Sequence, residues 1–205
     1  MKNILRLKQA VQTQFDKGSH IAHGFDHVVR VAQLARYIAE RDNYPEPEVA
    51  EVAGLLHDIG RTVQDEEKDH GPAGVPLASE MLDQYTGYDA TTKRQILDAI
   101  RDHSAFKAEG NLTHIVQDAD KLDGLGAVGV MRAYTSKYFL PAYDPKNIAP
   151  TNGERDTTIH AQIAFQLEWV DMMETQTGRT LARRRGDVMR DFLETFRGEV
   201  EGGDF

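Results

Sequence analysis

The chain has no cysteine among its 205 residues. That absence excludes a disulfide framework, thiolate zinc sites and a cysteine nucleophile, so any metal must be held by histidine and carboxylate side chains. Long apolar runs are missing as well. Nothing approaches the roughly 20 consecutive apolar residues that span a bilayer. The opening M-K-N-I-L-R-L-K-Q-A interrupts its apolar residues with Lys and Arg where a secretory leader would keep them continuous. The expected address is the cytoplasm, with no membrane partner. There is also no basic excess: a net charge of -9 sets the chain apart from general nucleic-acid binders, whose phosphate contacts need a positive surface. No strand-like alternation of useful length, internal repeat or linker is visible. With 40% hydrophobic residues, the chain is long enough for one good core and is expected to form a single domain over 1–205.

What is present is helical periodicity. Ile4, Leu7, Val11 and Phe15 keep the 3–4 spacing of an amphipathic helix, as do His27, Val31, Leu34, Ala35 and Ile38. A third pattern starts after Pro47 and is stopped by Gly60. Further patterns predict helices over 73–85, 90–103, 112–123, 125–139, 157–175 and 180–199. The class is all-α, a helical bundle of about eight or nine helices, with the last ones, over 157–200, packing on a motif-bearing core over about 21–131. Leu140 to Asp156, with Pro141, Pro145, Pro150 and Gly153, reads either as a binding loop or as a surface excursion.

Polar residues inside these apolar patterns carry the chemistry. In A-G-L-L-H-D-I-G-R-T, His57 and Asp58 stand between Leu55-Leu56 and Ile59. With 8 His and 19 Asp in the chain, about 0.7 His-Asp pairs arise by chance, so the pair needs company before it means anything. His27 opens the second helix in H-G-F-D-H-V-V-R-V, and Asp120 interrupts the apolar face of a later one in Q-D-A-D-K-L-D. Imidazole and carboxylate are good ligands for divalent transition ions, and ligands drawn from several helices are the pattern of a bundle-core metal site. Adjacent helical side chains diverge by about 100°, so His57 and Asp58 reach one ion only at a helix end, which Gly60 suits.

The ordered set His27, His57-Asp58 and Asp120, with the flanks H-x-x-R-V, L-L-H-D-I-G-R and D-A-D-K-L-D followed by G-A-V-G, resembles the HD-domain superfamily of metal-dependent phosphohydrolases. The likeness is greatest to its small single-domain bacterial members and runs from about Ile21 to Met131. The resemblance implies His27, His57, Asp58 and Asp120 as metal ligands. Asp118 is the alternative to Asp120, which is preferred because the family ligand precedes a residue and then Leu. His70 and His103 occupy the ordered positions where two-metal members place further ligands; they either hold a second ion bridged through Asp58 or bind phosphate and protonate the leaving group. The doubled histidine followed by Glu and the G-Y-P segment of the signalling members are lacking.

The activity so implied is metal-dependent hydrolysis of a phosphate ester or anhydride in a small-molecule substrate, a nucleotide, with a nucleoside triphosphate cleaved to monophosphate and pyrophosphate favoured. Alternatives are a cyclic-nucleotide phosphodiesterase and a di-iron oxygenase on the same scaffold. Besides Asp58, His70 and His103, the catalytic set includes Arg61, Lys121 and Asp123; Arg30, Arg61 and Lys121 would offset charge on the phosphate. Arg30 and Arg61, one turn from His27 and His57, either reach the site or form structural salt bridges. The ion expected is Mn2+ or another transition metal, with Mg2+ the poorer fit to a histidine-rich site. His20, His23, His114 and His160 are read as solvated or locally bonded, with His23 at the site entrance as its other reading. Arg179, Arg183, Arg184, Arg185 and Arg190 are read as a solvated face of the final helix, and Trp169, Phe165 and Met173 as core.

Overall fold

The periodicities seen in the sequence become helices in the computed structural model, which describes residues 3–18, 22–64, 70–148 and 155–203. Among these residues there are nine α-helices, two 3-10 turns and no β-strand, in agreement with the all-α expectation. The chain clusters into two compact units, Met1–Asp120 and Lys121–Phe205.

In the first unit, α1 (Ile4–Phe15) buries Leu7, Val11 and Phe15, and Asn3 caps it by accepting from the Arg6 amide. Helix α2 (Phe25–Arg41) buries His27 along with Val28, Val31, Ala35 and Ile38. Helix α3 (Pro47–Leu56) is buried on nearly every side, as its apolar run requires. It starts at Pro47, whose fixed φ and missing N–H suit a first turn. After it come a 3-10 turn (Ile59–Thr62), α4 (His70–Tyr85), α5 (Ala90–Asp102) and α6 (Asn111–Asp123), the last crossing into the second unit. Helix α4 begins three residues earlier than Ala73, where the sequence pattern starts. Gly71 and Pro72 fall in this first turn, which needs no N–H from proline.

Glycines set how closely these elements approach. A Cβ on Gly60 would lie 1.8 Å from the His70 carbonyl oxygen and 2.7 Å from the Gly74 nitrogen, and one on Gly71 would lie 2.6 Å from the Arg101 carbonyl. The 3-10 turn, α4 and α5 therefore meet backbone to backbone, which brings His70 to the end of α3.

The second unit holds α7 (Gly126–Ser136), α8 (Ile159–Gln166), a 3-10 turn (Leu167–Met172) and α9 (Gln176–Glu201). The single helix expected over 157–175 divides here into α8 and the 3-10 turn, and α9 starts at Gln176 rather than 180 because Thr175 accepts from the Gly178 amide and caps it. Met173 is buried, as expected of a core residue, whereas Phe165 and Trp169 are only half-buried; Trp169 packs on Gly124, leaving no room for a Cβ. The Arg185 guanidinium donates to the Leu122 carbonyl, Arg179 to the Glu174 carbonyl at 2.9 Å and Arg190 to Asp187 at 2.8 Å. His160 is buried beside Phe196 rather than solvated. His20, Pro150 and Gly153 lie outside the described residues.

Gly60→Ala is expected to lower the unfolding free energy by about 3 kcal/mol or more, because rigid backbone rather than a flexible side chain occupies the Cβ position. Urea denaturation checks this; an unchanged midpoint would show that α4 yields easily.

Candidate metal centre

All but one of the residues that gather in the first unit stand at helix ends. His23 and His27 flank the start of α2, whose N-cap is Gly24. Helix α3 stops at Leu56; His57 is its C-cap and Asp58, at φ -98 and ψ 11, has left helical geometry. This break lets two adjacent side chains converge. His70 is the first residue of α4, His103 the C-cap of α5, and Asp120 projects from α6.

Asp58, 1% exposed, is the hub. Its Oδ2 accepts from His23 Nδ1 at 2.8 Å and lies 3.6 Å from Nε2 of both His27 and His57. Asp120 Oδ1 closes that side, 3.3 Å from His27 Nε2 and 3.8 Å from His57 Nε2. On the other side, Asp58 Oδ1 faces Arg61 Nε at 2.9 Å, His70 Nε2 at 3.2 Å and His103 Nε2 at 3.5 Å. The Nε2 atoms of His70 and His103 are 2.9 Å apart. Five imidazoles thus form one edge-to-face row, His23, His27, His57, His103 and His70, with centroids 4.8–5.2 Å apart.

Backbone carbonyls fix the tautomers. His57 Nδ1 donates to the Gly54 carbonyl at 2.7 Å, which leaves a lone pair on Nε2, and that nitrogen is buried without a hydrogen-bond partner. His103 Nδ1 donates in the same way to the Ile100 carbonyl. A bare, buried imidazole nitrogen facing two carboxylates is the geometry of a metal ligand oriented by its second nitrogen. Among the described residues, ligand atoms lie within 4.8 Å of one another in the groups His27-His57-Asp120, His23-His27-Asp58 and His57-Asp58-His103. The residues fit a divalent ion.

The charges follow from this packing. Burial alone would raise the Asp58 carboxyl, but the His57 imidazole and hydrogen bonds from His103, His23 and His27 outweigh it and hold the group well below the ordinary carboxylate range. Asp120 is likewise held down, against burial, by His27 and His57. Burial lowers His23 more than Asp58 raises it.

Other expected site residues are placed as follows. Arg30 donates to Asp26 on its own helix at 2.6 Å. Lys121 and Asp123 belong to the second unit, where Asp123 is buried and pairs with Arg132 at 3.0 Å. Asp118 is fully buried on α6. His114 Nε2 donates to the Ala108 carbonyl at 3.0 Å, a local bond as expected. His23 is the member that sequence reasoning undervalued. Its four-residue spacing from His27 was visible, but only the fold shows that Asp58 meets it.

Burial pushes the His57 imidazole down to about 4, against the pull of Asp58 and Asp120. The unfolded imidazole titrates near 6.5, so as pH falls the unfolded chain takes up the proton first. The stability His57 contributes is present above that value and is lost toward pH 4. His103 acts oppositely. Burial would lower it, but Asp58 raises it, and its contribution fades as pH rises through the folded value. With metal chelated, the wild type is therefore expected to lose about 2 kcal/mol more between pH 7 and pH 5 than His57→Gln does, read by urea unfolding. Parallel pH profiles would refute a neutral, buried His57.

The HD-domain family matches residues 24–125. YpgQ of Bacillus subtilis is 31% identical over 193 residues, covering 89% of this chain and 86% of YpgQ. Its crystal structure in complex with ADP superposes with a TM-score of 0.73 at 26% identity, over 98% of this chain and 96% of that one. An HD-superfamily hydrolase from Bacillus thuringiensis gives a TM-score of 0.74 at 27% identity, over 96% and 95% of the two chains. A deoxyguanosinetriphosphate triphosphohydrolase-like protein of Pelagibacter ubique is 30% identical over 122 residues, 58% of this chain and 30% of that protein. Near full-length similarity to YpgQ, the family match across the His27-to-Asp120 cluster and the shared helical fold lead to one assignment: the chain belongs to the HD-domain superfamily of hydrolases.

Proposed function

We propose that this protein is a metal-dependent phosphohydrolase of nucleotides, with cleavage of a nucleoside triphosphate to monophosphate and pyrophosphate the favoured reaction. One observation carries the chemical part: a single ionised carboxylate, Asp58, is shared between the His27, His57 and Asp120 side and the Arg61, His70 and His103 side. The nucleotide part is supported by ADP in the YpgQ structure and by the triphosphohydrolase-like relative.

In this reading His27, His57, Asp58 and Asp120 hold Mn2+ or another divalent transition ion. Such an ion supplies Lewis acidity toward a phosphoryl oxygen and toward water. The protein's own groups do the rest. Arg61, held by Asp58 and 17% exposed, keeps its guanidinium beside His70, where it would offset charge building on the phosphoryl oxygens. His103 donates from Nδ1 to the Ile100 carbonyl, so the 2.9 Å contact between the His70 and His103 Nε2 atoms needs one proton between them. That pair would deliver a proton to the leaving oxygen. Arg30 and Lys121 are further proposed cations for the phosphate, and Asp123 a proposed orienting carboxylate. His70 and His103 as ligands of a second ion remain the other reading, favoured by Asp58 reaching both sides.

Loaded with Mn2+, the protein is expected to release phosphate or pyrophosphate from at least one member of a panel of nucleoside di- and triphosphates, cyclic nucleotides and guanosine tetraphosphate. His57→Ala and Asp58→Ala should abolish both metal retention and turnover. A panel without metal-dependent hydrolysis sinks the nucleotide reading, and oxygen uptake on iron loading would favour the oxygenase. Equal metal in wild type and the double substitution, by elemental analysis, would sink the site.

His103→Ala separates the two roles of the histidine pair. As a proton donor, its loss leaves the metal content intact and lowers turnover roughly 100- to 10,000-fold. As a ligand, its loss takes the content from about two ions per chain toward one.

A further inference from the structure

In the Q-D-A-D-K-L-D segment that carries Asp120, Gln117 has no part in the chemistry above, yet it is 5% exposed on α6, one turn before that aspartate. Its side-chain Nε2 donates to the Asp102 carbonyl at 3.1 Å and to the Ala105 carbonyl at 2.9 Å. These two carbonyls lie on either side of His103, the residue that ends α5. The last carbonyls of a helix have no partner within the helix. Here His103 satisfies Ile100 through Nδ1, while Gln117 adds a second donor to the Asp102 carbonyl, which also accepts from the Ala105 amide at 3.0 Å, and bonds the Ala105 carbonyl just beyond the helix. The peptide that enters His103 and the one that follows Ala105, two residues after it, are thereby tied to α6. Glutamine provides two donors on one nitrogen, whereas an ionised glutamate accepts only.

We propose that Gln117 is a positioning residue that acts through His103. It fixes the end of α5 against α6, so that His103 Nε2 stays 3.5 Å from Asp58 Oδ1 and 2.9 Å from His70 Nε2. Contacts of that length are lost on a shift of about 1 Å, a misplacement that commonly costs on the order of 100-fold in rate. The functional consequence rests on the hydrolase reading given above; the fastening does not.

Gln117→Met keeps the chain length and removes the donors. In metal-free protein, amide hydrogen exchange over residues 102–108 is expected to accelerate about tenfold or more, with α2 and α3 as protected as in the wild type. In turnover, kcat is expected to fall roughly 10- to 100-fold with KM within about twofold, and adding Gln117→Met to His103→Ala should cost nothing further. Unchanged exchange over 102–108, or losses that multiply in the double variant, would overturn the proposal. If Gln117→Met does not fold, Gln117→Glu, which keeps the shape and loses the donors, takes its place. A wild type that hydrolyses nothing would end the hydrolase reading, while the exchange measurement still decides whether Gln117 fastens the α5 terminus.

Discussion

A carboxylate buried as completely as Asp58 cannot stay ionised without partners, because the desolvation cost of an isolated charge is many kcal/mol. The rest of the site is arranged around that requirement. One oxygen takes a hydrogen bond from His23 and faces His27 and His57; the other is met by Arg61 and faces His70 and His103. The same arrangement leaves Nε2 of His57 with a lone pair, no donor and two carboxylates in view. A cation resolves that frustration more completely than any rearrangement of neutral side chains, which is why metal binding and the integrity of this cluster are expected to be lost together.

Placing so many polar groups at one point requires helices whose ends converge. Helix ends leave backbone donors and acceptors to be satisfied locally, and here histidine rings do part of that work: His57 and His103 each bond a carbonyl three residues back. Backbone contact at Gly60, Gly71 and Gly74 then pulls the 3-10 turn, α4 and α5 together. With a side chain at Gly60, His70 could not sit where its Nε2 faces Asp58 Oδ1. Gln117 extends the same principle to α6, using one amide to bond a carbonyl on each side of His103. The packing glycines and the buried glutamine are thus as much a part of the site as the histidines.

Much of this was legible in the chain. Apolar spacing located the helices, since a 3.6-residue period survives any tertiary arrangement. His27, His57, Asp58 and Asp120 stood out because each breaks an apolar pattern, and such a break inside a core needs a chemical reason. Where the reading erred, local signals competed. The pattern over 73–85 misses the first turn of α4, which begins at His70, and the pattern over 157–175 runs up to Thr175, which caps the next helix. His23 reads first as solvated or locally bonded and only second as lining the site entrance, because its spacing from His27 does not show that Asp58 meets it.

By itself the sequence determined the helical class, the helix positions, the exclusion of thiol chemistry and the short roster of side chains able to bind a divalent ion. These depend on residue type and local period alone. Only the tertiary structure decided that Asp58 divides its two oxygens between two sets of histidines, that His23 and Arg61 attach to it, and that Gln117 holds the strand of backbone around His103. These are contacts across as many as 45 positions of chain, as between Asp58 and His103. Their geometry follows from how closely the helix backbones approach, which residue spacing along one chain does not encode.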